Sequence, residues 1–248
     1  NPFIHNNTIT IGDNSLLHTT TGSCIISNAM GNNGEGNHIV GNTIRMNDAG
    51  QTGYSSASAI KLSGGNSFVS SNDIIINNPR TYGIVFSGLS SILRNITIQN
   101  NSVLGGAIPI FVVKVHDVNI LNNTISGNDY PTTSQMDSPS LLLEKASGTN
   151  VIRGNTGAKI RVTRSENVTV SDHNAITIQV SDSNNTHITN NIVTAQAFYQ
   201  ESLGGSSVQI SFSRNITIKN NTITLTSTAP ETVSGLAGAV GITEGRDI

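Results

Sequence analysis

Short apolar strands alternate with polar turns along the whole chain, and most copies of this pattern centre on one asparagine. Clear copies are NITIQNNSV (95–103), VNILNNTI (118–125), THITNNIV (186–193) and NITIKNNTI (215–223), and divergent copies lie at 2–9, 37–44, 66–74, 150–157 and 167–176. The aligned residues are Asn7, Asn42, Asn72, Asn101, Asn123, Asn155, Asn174, Asn191 and Asn221. An aliphatic residue stands three positions before the asparagine in eight of the nine copies, and another stands two positions after it in eight of nine. Because side chains alternate in a strand, each copy predicts two short strands joined at the asparagine.

The aligned asparagines are separated by 35, 30, 29, 22, 32, 19, 17 and 30 residues. A fixed local motif at an irregular period indicates a solenoid whose strands are constant and whose outer loops vary in length. Asparagine suits such a turn because it tolerates the left-handed conformation and its amide both donates and accepts hydrogen bonds. Stacked coil over coil, these residues are expected to form an amide ladder. The copy at Asn174 fits poorly, and His173 is the alternative ladder residue there.

A third apolar strand is predicted between each asparagine unit and the next. The candidates are 23–27, 58–63, 83–87, 110–115, 141–145, 159–162, 177–181, 208–212 and 240–243. Nine such runs predict nine coils, and a coil spacing of about 4.8 Å gives a rod of about 40 Å.

The order of strand, short turn, V-x-I, Asn and x-I resembles the parallel β-helix repeats of the pectin-lyase-like superfamily over essentially the whole chain. The resemblance implies an all-β fold, a right-handed single-stranded parallel β-helix with three parallel sheets and the asparagine ladder in the turn between the second and third. Residues 1–248 would form one such domain. The superfamily is rich in polysaccharide lyases, glycoside hydrolases, uronate epimerases and phage tailspike depolymerases. The catalytic pattern of polygalacturonases is absent, and no acidic cluster resembles the calcium site of pectate lyases.

The ends of the sequence lie partway through a coil, with no readable cap. We therefore expect either a fragment of a longer chain or a partner subunit that covers the ends. Homotrimerisation is a hypothesis drawn from the resemblance to tailspikes and from these ends. The same resemblance implies an extracellular, cell-surface or virion-surface location.

Composition excludes several function classes. The net charge of −2 argues against binding nucleic acid through its phosphates. No apolar run is long enough to span a membrane, and the histidines show no metal-ligand spacing, so no metal or other cofactor is predicted. The single cysteine, Cys24, lies in an apolar strand and is expected to be buried and inert.

The outer face of the first sheet is the predicted site, because ligands of such folds usually lie across it. Alternation predicts an outward stripe of Lys61, Val85, Lys114, Glu144, Arg161, Gln179 and Gln209, with Lys159 beside Arg161 and His116 at the end of its strand. This concentration of charge in a chain with 11% charged residues suits an acidic glycan. The alternative is an ordinary exposed strand face with solvated charges and ion pairs between coils.

Two long loops feed this sheet. Residues 126–139 contain Asp129, Tyr130 and Asp137, and residues 195–206 contain Phe198, Tyr199 and Glu201. Loops on rigid scaffolds often bind substrate, and these aromatic residues are candidates to stack on sugar rings. Ordinary loop packing is an equally good interpretation.

Two reaction types remain open. Glycoside hydrolysis requires two carboxylates, for which Glu144 with Asp137, Asp129 or Glu201 are the candidates. A lyase requires a base beside a cation that neutralises the uronate, for which Lys114, His116 and Arg161 are the candidates. The sequence thus predicts a polysaccharide-degrading protein of the tailspike or secreted lyase or hydrolase type. The alternative is a non-catalytic glycan-binding or structural rod, such as an adhesin, stalk or surface-layer protein.

Overall fold

The computed structural model describes residues 3–11, 23–27, 36–47, 57–79, 81–88, 92–127, 139–197, 207–227 and 239–244, and these residues form strands and turns. In chain order the strands are β1 (Phe3–His5), β2 (Thr8–Ile11), β3 (Ser23–Ser27), β4 (His38–Val40), β5 (Thr43–Met46), β6 (Ser58–Leu62), β7 (Phe68–Ser70), β8 (Asp73–Ile76), β9 (Tyr82–Ser87), β10 (Leu93–Gln99), β11 (Ser102–Gly105), β12 (Ile110–Leu121), β13 (Thr124–Ser126), β14 (Leu141–Arg153), β15 (Thr156–Thr163), β16 (Glu166–Ser171), β17 (Asn174–Ser181), β18 (Asn184–Thr189), β19 (Ile192–Ala197), β20 (Val208–Ser211), β21 (Arg214–Lys219), β22 (Thr222–Ser227) and β23 (Val240–Thr243).

The strands pair in parallel, each with a strand one coil further along the chain, and three rows result. The first row runs β3, β6, β9, β12, β14, β15, β17, β20, β23. The second row runs β1, β4, β7, β10, β12, β14, β16, β18, β21. The third row runs β2, β5, β8, β11, β13, β15, β17, β19, β22. Strands β12 and β14 bend from the first row into the second, and β15 and β17 bend from the third row into the first. The all-β, parallel arrangement that the sequence predicts is confirmed.

An aliphatic core fills the inside of the coils from end to end. In the second row Val69, Ile98, Ile120 and Ile152 stack directly above one another and are fully buried. Burying such a side chain contributes about 1.5–3 kcal/mol relative to leaving it exposed. Repetition of this contribution in each coil compensates for the few aromatic residues in the chain.

The turn between the second and third rows divides two tasks between successive residues. One residue takes a left-handed conformation; these residues are Asn6, Gly41, Ser71, Asn100, Asn122, Gly154, Asp172, Asn190 and Asn220. The residue after it points inward and forms hydrogen bonds with the next coil. The prediction that the inward asparagine fulfils both tasks is wrong, because the left-handed residue is the one before it.

The inward residues form a continuous hydrogen-bonded column, which we call the asparagine column. It consists of Asn7, Asn42, Asn72, Asn101, Asn123, Asn155, His173, Asn191 and Asn221. At a typical step, the backbone N–H and the Nδ2 of Asn101 both donate to Oδ1 of Asn123 at 2.9 Å. The same Nδ2 donates to the carbonyl oxygens of Val69 and Gln99 at 3.0 Å. Buried backbone and side-chain groups of the turn therefore satisfy one another.

A second polar column, which the sequence analysis missed, lines the corner between the first and second rows. A left-handed residue occupies this corner in successive coils: Lys114, Lys145, Arg164, Asp182, Phe212 and Glu244. After three of them a buried serine follows: the backbone N–H of Ser165 donates to Ser183 Oγ at 3.2 Å, and that of Ser183 donates to Ser213 Oγ at 3.1 Å. Each Oγ donates in turn to the carbonyl oxygen two residues before it. The corner residues therefore project outward in register, beside the outer face of the first row.

Candidate functional site

A shallow depression of about 380 Å³ lies on the outer face of the first row, over β14, β15, β17 and β20. The lining residues are Leu142, Glu144, Arg161, Thr163, Arg164, Gln179, Val180, Ser181, Gln209 and Ser211. Of the predicted site residues, the structure brings Glu144, Arg161, Gln179 and Gln209 together here.

The strand register arranges the lining as two parallel columns of side chains. Leu142, Arg161, Gln179 and Gln209 are successive partners in one column. Glu144, Thr163, Ser181 and Ser211 are successive partners in the other, two residues further along each strand. Partners in adjacent strands are about 4.8 Å apart, so the depression offers a regular series of hydrogen-bonding groups along the stack.

One acidic side chain and several basic ones meet at one rim of the depression. Arg164 Nη2 lies 3.0 Å from Glu144 Oε1, and Lys145 Nζ lies 3.6 Å from the same oxygen. The side chain of Glu144 is 17% exposed, whereas those of Arg164 and Lys145 are 56% and 43% exposed. Arg161 Nε donates to Gln179 Oε1 at 2.8 Å. Lys114 precedes Lys145 in the same corner column, so the rim has more positive than negative groups among the described residues.

The middle of the depression, over β15 and β17, belongs to coils without an insertion. Strands β15 and β17 each pass from the third row into the first without a break. The coil before them includes residues 128–138 and the coil after them includes residues 198–206, both outside the described residues. The predicted Tyr130, Asp137, Tyr199 and Glu201 lie in these two segments. These two segments therefore join the third row to the first row in the coils on either side of β15 and β17.

Lys114 was expected on the outward stripe, and this expectation is wrong because β12 has a different register. Ile110, Val112 and Val115 are buried, whereas Phe111 and Val113 lie on the outer side. The run IFVVKV is apolar at both alternating sets of positions, so alternation alone did not distinguish the faces. The left-handed Lys114 at the corner also interrupts the alternation. Lys114 is therefore an exposed corner residue and not part of the outward stripe.

Two further predicted residues lie elsewhere. His116 comes after the corner, where it pairs with Arg94 and Ser147 in the second row. Lys61 faces outward as predicted, but Val85, Phe111 and Leu142 separate it from Arg161 in the stripe. At about 4.8 Å per coil, Lys61 is roughly 19 Å from the Arg161 position.

Lys159 and Tyr82 lie near the depression without lining it. The half-buried Lys159 is two residues before Arg161 on β15, and its backbone N–H donates to Ser140 Oγ at 2.6 Å. The Tyr82 and Phe111 rings stack, with centroids 5.8 Å apart. This pair marks an apolar margin on the side of the depression that faces Lys61.

Arg164 and Lys145 are site residues that the sequence analysis missed. Each is the residue directly after the last outward strand position, in KIRVTR and LLLEK. The signal was a basic residue at the same place in two successive coils. Alternation did not find it, because a corner residue with positive φ belongs to neither face of a strand.

The described residues include no group of three or more His, Cys, Asp or Glu side chains that could hold a metal ion. Cys24 is half-buried, and burial raises the pKa of its thiol to about 11, which keeps it protonated and unreactive. Within the described ranges there is also no helix long and apolar enough to cross a bilayer.

Comparisons with known proteins add little to this geometry. No family model and no curated protein matches the sequence. Among solved structures, the chain is similar to the A-module of the Azotobacter vinelandii mannuronan C-5 epimerase AlgE6, at 12% identity and a TM-score of 0.35, over 85% of this chain and 73% of that chain. A TM-score of this size lies below the level that indicates a common fold, and the fold described above rests on the strand pairing of this chain.

Proposed function

We propose that this chain binds an acidic polysaccharide along the outer face of the first row and degrades it. The observation that supports the proposal best is the pair Arg161 and Arg164, which lines the depression beside two columns of amide and hydroxyl side chains. A guanidinium binds a carboxylate through two parallel hydrogen bonds, so two of them suit a uronate chain. Gln179, Gln209 and Ser211 offer hydrogen bonds to sugar hydroxyl groups further along the stack.

The proposal includes the finer fold assignment. We infer a right-handed single-stranded parallel β-helix of about nine coils, with the ladder of asparagines in one turn, of the pectin-lyase-like kind. The coil-to-coil pairing in three rows and the hydrogen bonds of the asparagine column support it. The strong preference of parallel crossovers for the right hand supports the handedness.

The composition of the rim favours elimination over hydrolysis. In elimination, a base removes the proton at C5 of a uronate, a C4–C5 double bond forms, and the glycosidic oxygen leaves. Arg161 and Arg164 would neutralise the carboxylate and so stabilise the developing negative charge, with Lys114 as the candidate base. Hydrolysis would require a second carboxylate beside Glu144, and Glu144 is the one acidic side chain among the described residues of the lining.

A non-catalytic glycan-binding rod is the second candidate. The ion pairs of Glu144 with Arg164 and Lys145 favour it, because the pair with Arg164 joins adjacent coils, as solvated charges on an ordinary exposed strand face do. In this function the same depression would bind the glycan without cleaving it.

The test is incubation with capsule, O-antigen and uronate polysaccharides, followed by assays of new reducing ends and of the ultraviolet absorbance of unsaturated uronates. Absorbance together with reducing ends is expected. Reducing ends without absorbance would indicate a hydrolase. If the protein binds polysaccharides of the panel but yields neither reducing ends nor absorbance, the non-catalytic glycan-binding function is supported instead.

Location and assembly are part of the proposal. An extracellular, cell-surface or virion-surface location follows from the polymeric substrate. Homotrimerisation is expected for a tailspike-type protein, and a monomer mass in light scattering would contradict it.

A further inference from the structure

Beyond the corner at Lys114, three side chains form a contiguous series, joined by one hydrogen bond and one ion-pair contact, that the proposed glycan site does not use. Ser147 Oγ lies 3.0 Å from His116 Nδ1. His116 Nε2 lies 3.3 Å from Asp117 Oδ2. The other oxygen of this carboxylate, Asp117 Oδ1, accepts the backbone N–H of Thr149 at 2.8 Å. The carboxylate is thus held from one side while it contacts the imidazole on the other.

The carboxylate beside the ring favours one tautomer of His116. A carboxylate only accepts hydrogen bonds, so Asp117 favours the neutral imidazole with its proton on Nε2. The lone pair of Nδ1 then accepts the hydroxyl proton of Ser147. Serine is activated as a nucleophile when its hydroxyl donates a hydrogen bond to a base and a third group orients that base.

The backbone conformation at Asp117 and Gly148 permits the contact between His116 and Asp117. Adjacent side chains of a regular strand point to opposite faces, so His116 and Asp117 meet only because Asp117 has a φ of 61°. The pairing of β12 with β14 shifts register between His116 and Val118. Opposite them, Gly148 has a φ of 74°. A Cβ atom at Gly148 would clash with Asp117 Oδ1 and lie 2.8 Å from His116 Cε1.

The series is accessible from solvent. The side chains of His116 and Asp117 are 29% and 41% exposed, and Ser147 is half-buried. Arg94 is the strand partner of His116 in the preceding coil, about 4.8 Å away, and is exposed. Its guanidinium is the candidate group to stabilise a negatively charged oxygen.

We infer that Ser147, His116 and Asp117 form a second, hydrolytic site that takes short acyl esters. Ser147 Oγ attacks the ester carbonyl carbon and passes its proton to His116 Nδ1. The ester C–O bond then breaks, and the leaving alcohol takes that proton. A water molecule, deprotonated by Nδ1, cleaves the acyl–serine bond, which releases the acid and restores the hydroxyl. Asp117 is a positioning residue, and the open corner suits an ester carried by a large polymer. This inference does not depend on the proposed glycan function.

The first test is covalent labelling of the intact protein with a fluorophosphonate probe, followed by peptide mass mapping. A label on Ser147 that falls at least about 100-fold in rate in His116→Gln is expected, because a general base contributes about that factor or more. Absence of label at Ser147, or equal labelling of His116→Gln, would overturn the inference.

The second test is hydrolysis of p-nitrophenyl acetate, which does not involve a polysaccharide. Ser147→Ala is expected to lower the rate at least about 100-fold. The matched control, Ser126→Ala, alters an exposed serine on β13 and should leave the rate unchanged. Asp117→Ala should also lower the rate, and Asp117→Glu should restore part of it. Equal rates for Ser147→Ala and the unaltered protein, with an unchanged circular dichroism spectrum, would refute the site.

Discussion

Nδ1 of His173 lies 2.9 Å from the backbone nitrogen of Asn155, in the place where the other coils of the column present an asparagine Oδ1. On the other side of the ring, Nε2 lies 2.9 Å from the carbonyl oxygen of Ile152. Since that oxygen only accepts, Nε2 holds the proton and Nδ1 accepts the N–H of Asn155. A neutral histidine thus replaces an amide in the column at one coil, and it gives this coil of the column a titratable group.

Acid should destabilise the protein through His173. Burial lowers the pKa of His173 below its ordinary value of 6.5, and it outweighs the carbonyl groups of Asn155 and Ile152 and the charge of Asp172, which raise it. The unfolded chain therefore binds a proton below about pH 6.5 that the folded chain does not bind. The contribution to stability is complete above that pH and decreases as the pH falls below it.

The measurement is the urea midpoint at about pH 7.5 and at about pH 5, on either side of the ordinary histidine pKa. His173→Asn should show a smaller loss of stability on acidification than the unaltered protein, because asparagine does not titrate. The same loss in both proteins would contradict a role for His173.

Removal of one asparagine from the middle of the column should be strongly destabilising. In Asn123→Ala, the backbone N–H and Nδ2 of Asn101 lose their shared acceptor. The backbone N–H of Asn101 is then a buried donor without a partner, whereas its Nδ2 retains the carbonyl oxygens of Val69 and Gln99. One buried donor left without a partner costs about 1–3 kcal/mol, so a total loss of about 2–3 kcal/mol is expected. The control is Asn119→Ala, which alters an outward position of the same coil and should change the free energy of unfolding by less than about 0.5 kcal/mol. Urea denaturation followed by circular dichroism measures both, and equal losses would refute the prediction.

Arg161→Gln should weaken binding of an acidic polysaccharide roughly tenfold, which corresponds to the loss of one charged hydrogen-bonding partner. The effect should shrink as salt is added, because screening weakens exposed charge pairs. Lys61→Gln removes the same charge from the same row, outside the depression, and should leave affinity unchanged. Titration calorimetry measures the affinity of both variants for the polysaccharide. Equal losses of affinity in the two variants would show that the glycan does not bind in the depression.

Phe212→Asn should stabilise the protein. Phe212 has a φ of 48° and is 56% exposed, so the left-handed conformation strains it without a compensating gain from burial. The left-handed region costs a residue with Cβ about 1–2 kcal/mol, and asparagine tolerates it better, so a gain of about 0.5–1 kcal/mol is expected. Asp182→Asn, at the same corner one coil earlier, should change stability by less than about 0.5 kcal/mol. A loss of stability in Phe212→Asn would show that its ring packs productively.

Alternation predicted orientation well where a strand is polar on one face only. In KIRV and TIQVS the polar residues separate the buried aliphatic ones, so the outward direction of Arg161 and Gln179 followed from the sequence. In IFVVKV it failed, because both faces are apolar and a corner falls inside the run. Positive φ at Lys114 and at Arg164 depends on the geometry of the neighbouring coils. A single strand contains no signal for it.

The doubt over Asn174 and His173 also has a physical resolution. With Asn174 in the column, two successive separations would be 19 and 17 residues. With His173 both are 18. A coil that has no loop has a fixed circumference, so the even spacing was itself evidence for histidine. An alignment on residue type favoured asparagine, because it ignored that an imidazole nitrogen accepts a hydrogen bond as an amide oxygen does.

The two 18-residue coils also define the smallest repeating unit of this stack of coils. A segment such as 156–173 starts directly after one column residue and ends on the next. Its tandem duplication would therefore add one complete coil, about 4.8 Å along the stack. Each donor and acceptor of the asparagine column would still have an equivalent hydrogen-bond partner in the next coil. The number of coils is thus adjustable in whole steps, by gene duplication or by design, without any change to residues 128–138 and 198–206.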